Sequence, residues 1–310
     1  MRTIPALIAT AAVVVSLAAC TGPGNDLSSC EPAVSAGEQS DLVTVSGSDE
    51  PRVSFPTPLI APDIQRTFIE VGDGDLVREG DYSIVDFSQF NGADEELIGS
   101  TWTDGEPSIV PAGEAGGVLG EAIACTPVGS LVAATIPVSL FNETAEPGDT
   151  LVVAIEVLER VMGKANGVDQ LAQAGFPAVV TAPSGQPGIS IPQSAPPTEL
   201  QISVLKRGDG AVVDEGDTVY AHYTGMLWSG SSIFDSSWDR GVPTALVAQE
   251  GAAGQTGLIP GFAEALVGQT VGSQVIVVIP PDLGYGEAGT EGVPGDSTLV
   301  FVFDVLGIQS

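Results

Sequence analysis

Three side chains that could form a binding site lie close together in one stretch of the chain, Val219–Trp238. Apolar and polar residues alternate on either side of a Ser- and Gly-rich segment, which predicts a strand, a tight turn and a return strand. This hairpin would present Tyr223, Phe234 and Asp235 together. The adjacent His222 faces the other side of its strand, because side chains alternate, and it lacks the sequence context of a Ser/His/Asp hydrolase. The pattern favours an aromatic cluster with one acid, and we expect His222 to be non-catalytic.

The same pattern occurs earlier in the chain, at a constant offset of 136 residues. Segments 72–102 and 208–238 match at this offset without a gap, and the two copies also correspond downstream at a shifted offset, near 128–137 and 271–280. Such self-similarity indicates one structural unit of about 120 residues that is present twice.

The earlier copy lacks the side chains that could form a site. The replacements at the shared offset are Phe87 for Tyr223, Ile98 for Phe234 and Gly99 for Asp235. The position of Phe262 falls near Leu119, and the loop that contains Tyr285 shortens to residues 138–147, which contain no Tyr. Since apolar residues remain where a core needs them, we expect this copy to have kept the fold and lost the site.

Within each unit the sequence predicts mostly strands and one short helix. Thr218–Tyr223, Gln274–Ile279 and Thr298–Leu306 alternate or are continuously apolar, and they are rich in β-branched residues. Gly261–Val267 has apolar residues at i, i+3 and i+4 and follows Pro260, which is typical of a helix. A sheet packed on one short helix is an α+β fold.

The N-terminus predicts export and lipid anchoring. Ile4–Leu17 is apolar but too short to span a bilayer. It ends in Leu17-Ala18-Ala19-Cys20, which resembles the bacterial lipobox, so we expect Cys20 to carry a lipid. The alternative is an ordinary signal peptide followed by a chance Cys. The expected location is the outer face of the bacterial cytoplasmic membrane, with membrane contact through the lipid alone.

These observations divide the chain into five expected segments. They are a lipoprotein signal peptide (1–19), a tether rich in Gly, Ser and Pro (20–40), a degenerate unit (41–162), a linker (163–176) and a second unit (177–310).

Composition excludes several classes of function. Acidic residues outnumber basic ones 40 to 9, and the net charge of −31 repels phosphate backbones, so we expect no nucleic-acid partner. One His and few, widely spaced Cys residues do not make a zinc site, and we expect no metal and no cofactor. Cys30 and Cys125 are an even pair in an exported chain and predict one disulfide, with two free thiols as the alternative.

The second copy resembles the FKBP-type peptidyl-prolyl cis/trans isomerases. Five motifs occur in the family's order: His222–Leu227, Phe234–Ser237, Leu258–Phe262, Pro280–Gly286 and Thr298–Phe301. The resemblance implies a prolyl-peptide pocket between a twisted antiparallel sheet and the short helix. It assigns the pocket as follows: Tyr223, Phe234, Tyr285 and Phe301 as walls, Phe262 as floor, Leu258 and Ile259 as rim, Asp235 facing the imide, and Leu246 and Val293 as further substrate contacts.

The resemblance also implies a reaction without covalent chemistry. Rotation about a peptide bond crosses a barrier of ~18–20 kcal/mol, and unassisted X-Pro isomerisation takes roughly tens to hundreds of seconds. A dry aromatic pocket favours the twisted, less polar amide over the planar one. The expected partners are proline-containing exported polypeptides and the family's macrolide ligands. The alternatives are a non-catalytic chaperone or proline-peptide-binding module, and a purely structural envelope protein.

The second copy departs from the family pattern at several positions. Phe262 stands where the family usually has Trp, and Thr244 stands where an aromatic residue is usual. Segment 247–257 is several residues longer than the family norm, and segment 286–297 is acidic. These departures predict reduced activity, or a substrate preference for basic flanking residues.

Overall fold

The computed structural model describes residues 27–47, 51–146, 148–251 and 258–309. The signal peptide and Cys20 lie outside the described residues, as does most of the long segment 247–257. Within the described ranges, no helix is both long enough and apolar enough to cross a lipid bilayer.

Strands dominate the described chain, and its helices are short. The α-helices are α1 (Thr101–Asp104), α2 (Gly117–Ile123) and α3 (Pro260–Leu266). The strands are β1 (Thr44–Ser46), β2 (Arg52–Ser54), β3 (Gln65–Glu70), β4 (Leu76–Val77), β5 (Tyr82–Asn91), β6 (Leu97–Ser100), β7 (Ser108–Pro111), β8 (Thr126–Pro127), β9 (Leu131–Pro137), β10 (Thr150–Val161), β11 (Val168–Asp169), β12 (Ala178–Thr181), β13 (Pro187–Ser190), β14 (Gln201–Arg207), β15 (Thr218–Leu227), β16 (Ile233–Ser236), β17 (Thr244–Val247), β18 (Gln274–Ile279) and β19 (Leu299–Ile308). Short 3₁₀ turns lie at Leu27–Ser29, Ser40–Leu42, Glu114–Gly116, Val138–Leu140, Trp238–Arg240 and Pro281–Leu283.

Two antiparallel sheets share one strand order. The first has the order β3-β9-β10-β5-β6, and the second has β11-β14-β18-β19-β15-β16. In addition, β7 pairs with β5 in the first sheet and β17 pairs with β15 in the second. We call each sheet, with its helix and its covering hairpin, the first unit and the second unit. These antiparallel sheets with short helices confirm the α+β prediction.

A short helix packs on one face of each sheet, α2 in the first unit and α3 in the second. The predicted helix Gly261–Val267 is observed one residue earlier, because Pro260 takes the first helical position, where its missing N–H is no loss. Gly268, with a φ of 81°, follows the helix and adopts the left-handed conformation common at helix ends. Of the predicted strands, Gln274–Ile279 has the predicted bounds.

A β-hairpin covers the other face of each sheet. The hairpin β1–β2 closes a cluster that contains Phe55 and Leu59, and β12–β13 closes a cluster that contains Trp228 and Ile276. The central strands β10 and β19 are therefore buried on both sides, which explains their nearly continuous apolar sequences.

The N-terminal segment is attached to the first unit. Cys30 and Cys125 form a disulfide, which confirms the predicted pairing. Val34 is buried, and the carbonyl of Ser35 accepts the backbone N–H of Arg66 at 3.0 Å. The described part of the predicted tether is thus packed against the sheet, a contact that its Gly- and Ser-rich composition does not reveal.

The predicted linker packs against the second unit. Its Val168–Asp169 forms β11 on the edge of the second sheet, and the backbone N–H of Ala165 donates to Asp304 Oδ2 at 2.8 Å. An apolar cluster joins the units, with Ile84 and Val161 from the first and Tyr220 and Leu306 from the second. The two units are therefore in direct contact.

Candidate functional site

Four aromatic side chains from four elements meet between α3 and the second sheet. Phe262 on α3 contacts Phe301 on β19 edge-to-face, with ring centroids 5.0 Å apart. Phe234 on β16 lies 5.4 Å from Phe301, and Tyr223 on β15 lies 6.3 Å from Phe262. These are favourable T-shaped distances. Phe262 is only 4% exposed, so it lies at the bottom of the cluster, as the resemblance implies.

Gly225 allows two of these rings to approach each other. A Cβ at this position would lie 2.7 Å from both Phe234 Cζ and Phe301 Cε1, too close for any side chain. The first unit has Gln89 at the corresponding position. Gly225 on β15 therefore permits the close approach of the two rings in the second unit.

A hydrogen-bonded triad of polar side chains borders the cluster. The Tyr223 hydroxyl donates to Asp235 Oδ2 at 2.5 Å, and Arg240 Nη1 donates to Asp235 Oδ1 at 2.6 Å. Arg240 Nη2 also donates to the Tyr223 hydroxyl at 2.9 Å. Each member contacts the other two, which fixes the orientation of the carboxylate at the edge of the pocket.

The triad sets the charges of its members. Burial would raise the pKa of Asp235, but hydrogen bonds from Tyr223 and Arg240 outweigh it and lower that pKa below its ordinary value. Burial and the bond to Asp235 raise the pKa of Tyr223 to about 12. At neutral pH the site thus holds a carboxylate, a guanidinium and a neutral phenol.

The sequence interpretation missed Arg240. The available signal was weak: it is one of only nine Lys and Arg residues and lies five positions after Asp235. The 3₁₀ turn Trp238–Arg240 returns the side chain toward the acid. Thr244, which stands where the family usually has an aromatic residue, places its Oγ1 3.3 Å from Arg240 Nη2 and so supports the triad.

The remaining predicted pocket residues lie around the same cluster. Leu246, Leu258, Ile259 and Tyr285 are partly buried against it, and Val293 is buried within it. No described residue accepts a hydrogen bond from the Ile259 N–H or the Tyr285 hydroxyl. Burial, and then the charge of Asp235, raises the pKa of Tyr285, so its hydroxyl remains a donor at neutral pH. Within the described residues, these two donors therefore lack a protein acceptor beside the apolar surface.

The corresponding region of the first unit lacks the polar groups. Phe87 and Leu119 pack in its core, whereas Ile98 is largely exposed and Gly99 carries no side chain. Asp104 stands at the position of Arg240. The first unit cannot form an acid–phenol–guanidinium triad.

His222 lies on the face of β15 opposite the pocket, as the alternation predicts. It is 1% exposed, and its ring is stacked on Trp238 with 3.9 Å between centroids. Its Nδ1 lies 2.9 Å from Ser237 Oγ. In this environment burial, and then the positive charge of Arg240, lowers the pKa of His222 to about 4. The imidazole is therefore neutral at neutral pH.

We expect the single imidazole of the folded chain to titrate with a midpoint of about 4. In the unfolded chain it would titrate near 6.5, at about its ordinary pKa. As the pH falls, the unfolded state thus binds the proton at a higher pH than the folded state does. His222 therefore lowers the free energy of unfolding as pH falls from about 6.5 to about 4. Burial raises the pKa of its strand partner Asp304 to about 6, which acts in the opposite direction.

These two effects overlap in any measurement of stability against pH. The pKa of His222 in the folded protein is therefore measured directly, from the chemical shifts of the imidazole protons as the pH is changed. The chain has one His, so the signal needs no assignment among several residues. A midpoint near 6.5 in the folded protein would contradict the buried, neutral imidazole.

Among the described residues, no group of three or more His, Cys, Asp or Glu side chains could hold a metal ion.

Comparisons with known proteins match the second unit. A family model described as FKBP-type peptidyl-prolyl cis-trans isomerase matches residues 210–306. An FK506-binding protein of Streptomyces anulatus is 39% identical over 126 residues, a match that covers 40% of this chain and 97% of the relative. FK506-binding protein 2 of Dictyostelium discoideum is 40% identical over 117 residues, covering 37% of this chain and 84% of the relative.

Longer relatives match in part. The FKBP-type peptidyl-prolyl cis-trans isomerase FkpA of Escherichia coli strain K12 is 38% identical over 112 residues, covering 36% of this chain and 38% of FkpA. The crystal structure of FkpA from Escherichia coli aligns at 34% identity with a TM-score of 0.32, covering 42% of this chain and 51% of that chain. The similarity thus spans nearly all of the Streptomyces protein but less than half of the FkpA sequence.

Proposed function

Since this chain belongs to the FKBP-type peptidyl-prolyl cis-trans isomerases, we propose that it isomerises X-Pro bonds of exported polypeptides in the pocket of its second unit. The observation that supports this location is the aromatic cluster above Phe262, bordered by the triad of Tyr223, Asp235 and Arg240. The first unit has neither feature. The proposed role is to accelerate a step that otherwise limits folding.

The proposed mechanism is desolvation and twisting of the amide. The proline ring would rest on Phe262, and the peptide would exchange water for the apolar walls. Loss of amide resonance makes the twisted state less polar, so a dry surface favours it over the planar state. The Ile259 N–H and the Tyr285 hydroxyl are free to donate to substrate carbonyls, which would hold the chain on either side of the rotating bond.

The two charged groups of the triad have orienting roles in this proposal. Asp235 would face the imide region, and Arg240 would hold it there while it neutralises part of its charge. The acidic surface of the whole chain, with a net charge of −31, favours substrates with basic residues beside the proline.

The proposed location is the outer face of a bacterial cytoplasmic membrane, with a lipid on Cys20. The support is the lipobox-like sequence Leu17–Cys20 that follows an apolar stretch. Metabolic labelling with a fatty-acid analogue tests this location: incorporation must depend on Cys20, and labelling that persists in Cys20→Ser would refute it.

Replacing Asp235 by Ala is expected to lower kcat/KM by about tenfold, which corresponds to about 1.4 kcal/mol in the transition state. The change removes the acceptor that orients both Tyr223 and Arg240. The measurement is isomerisation of an X-Pro peptide by the full chain, compared with the uncatalysed rate. Asp209→Ala is the control, because this Asp is exposed in the same unit and away from the pocket. An unchanged kcat/KM for Asp235→Ala would place the reaction elsewhere.

A second candidate function is client binding without turnover. In the first unit, four apolar side chains are at least half exposed on segments that correspond in sequence to pocket segments of the second unit: Leu97, Ile98, Leu140 and Phe141. Such a surface could hold an unfolded polypeptide. Suppression of client aggregation that survives Phe262→Ala would favour this function, and absence of any suppression by the full chain would exclude it.

A further inference from the structure

The first unit contacts the second unit directly behind the pocket, through Tyr82 at the start of β5. Its hydroxyl lies 3.1 Å from Nε2 of His222 and donates to the carbonyl oxygen of Gly241 at 3.0 Å. His222 immediately precedes Tyr223, and Gly241 immediately follows Arg240. One side chain of the first unit therefore bonds to both segments that carry the polar groups of the pocket.

The directions of these hydrogen bonds follow from the donors available. The Tyr82 hydroxyl has one hydrogen and donates it to Gly241, so its oxygen must accept from Nε2 of His222. Neutral His222 then has no proton on Nδ1, which accepts from the Ser237 hydroxyl at 2.9 Å. The Ser237 oxygen accepts the backbone N–H of Tyr223 at 2.8 Å. Both ring nitrogens of His222 and the Tyr82 and Ser237 hydroxyls thus have partners, and this series of hydrogen bonds ends on the backbone of a pocket residue.

Trp238 connects the same network to the turn that carries Arg240. Its ring is nearly parallel to that of His222, with an angle of 18° between the planes. The turn at Gly185 packs closely against this indole, since a Cβ there would lie 2.7 Å from the ring. Trp238 begins the 3₁₀ turn, and Arg240 ends it. The contact of Gly185 with the indole and the hydrogen bond of Tyr82 to the Gly241 carbonyl therefore fix both ends of the turn.

In the first unit, the equivalent hydrogen bonds join only residues of that unit. Asp86 stands at the position of His222 and Thr101 at that of Ser237. The Thr101 hydroxyl donates to Asp86 Oδ1 at 2.6 Å and accepts the backbone N–H of Phe87. Only in the second unit does the link continue across an interface to another residue.

We propose that Tyr82 is a positioning residue for the isomerase site of the second unit, acting through His222 and Gly241 on the turn that aims Arg240. The inference rests on the proposed location of the reaction in that pocket. It gives the first unit a role in turnover that needs no pocket of its own. The apolar cluster around Tyr220 holds the units together, and the Tyr82 network aligns the turn.

The test is Tyr82→Phe in the full chain, which keeps the ring and removes only the hydroxyl. We expect kcat/KM to fall about threefold to tenfold, the factor that corresponds to one lost hydrogen bond. The fall should be in kcat, because the aromatic surface that binds the proline is unchanged. Tyr220→Phe is the matched control: this Tyr is buried in the same interface, makes no bond to the turn, and should retain wild-type kcat.

Two readouts separate positioning from general loss of structure. In Tyr82→Phe the titration midpoint of the single imidazole should not rise above about 4, because the imidazolium loses the oxygen that accepts from its Nε2–H, whereas general loss of structure would expose the ring and move the midpoint toward its ordinary value. In addition, Tyr82→Phe combined with Arg240→Ala should lower kcat no further than Arg240→Ala alone, since residues that act through one another are not additive.

The outcomes distinguish this inference from the proposed function. If Asp235→Ala lowers kcat/KM but Tyr82→Phe does not, the pocket assignment stands and the positioning role is refuted. If Tyr82→Phe lowers kcat/KM as much on top of Arg240→Ala as alone, the role is also refuted, because the effect does not pass through Arg240. Should Tyr82→Phe unfold, His222→Gln interrupts the same network from the second unit and should lower kcat in the same range.

Discussion

Phe262→Ala is expected to destabilise the second unit by about 3–5 kcal/mol and to remove most isomerase activity. The ring is almost completely buried and contacts Phe301 at 5.0 Å and Phe303 at 4.9 Å. Truncation would leave a cavity under the proposed proline position and let water into the pocket. Urea unfolding followed by tryptophan fluorescence measures the loss of stability, and the peptide assay measures the loss of kcat/KM.

A second substitution separates these two losses. Phe262→Leu retains most of the volume and should fold, but it removes the flat ring on which the proline would rest, so kcat/KM should still fall. The control is Leu119→Ala at the corresponding position of the first unit, which should leave the peptide assay nearly unchanged. Wild-type turnover by a folded Phe262→Leu would show that the ring has no part in the reaction.

Arg66→Met is expected to destabilise the first unit by about 3–5 kcal/mol. This Arg on β3 is 3% exposed, and its Nη1 donates to the carbonyls of Ala122 and Ala124 and to the Thr126 hydroxyl. Met keeps much of the volume but leaves buried acceptors unpaired, at about 1–3 kcal/mol each. The guanidinium is itself poorly solvated, since burial lowers the pKa of Arg66 to about 10.

The matched control for this prediction is Arg52→Met. Arg52 is exposed on β2, so its replacement should change stability by no more than about 0.5 kcal/mol. Differential scanning calorimetry of both variants gives the comparison. Equal melting temperatures for Arg66→Met and the wild type would mean that the three hydrogen bonds contribute nothing net.

The aromatic part of the candidate site was assigned through the family resemblance, and local patterns predicted the elements that carry it. Phe234, Phe262 and Phe301 lie on three elements, yet each element was recognisable from its own periodicity, and a sheet packed on a helix brings such faces together. The disulfide was also predictable, because Cys30 and Cys125 were the one even pair after the lipobox Cys.

The polar contacts were not predictable in the same way. Arg240 reaches Asp235 only because a 3₁₀ turn follows β16, and a turn of that kind leaves no periodic signal in the sequence. Arg66 has no counterpart in the second unit, where Ile202 occupies its position. Its buried acceptors lie 56 to 60 residues farther along the chain.

The sequence by itself predicted the fold class and the difference between the two units, and its family resemblance assigned the aromatic residues of the candidate pocket. These properties depend on hydrophobic periodicity and on residue identity, which are local. The tertiary structure alone decided which groups satisfy the buried polar atoms: Arg240 for Asp235, and Tyr82, 140 residues away, for His222. A buried donor or acceptor must find a partner, but the partner is whichever group the folded chain brings within about 3 Å, and sequence distance does not restrict it.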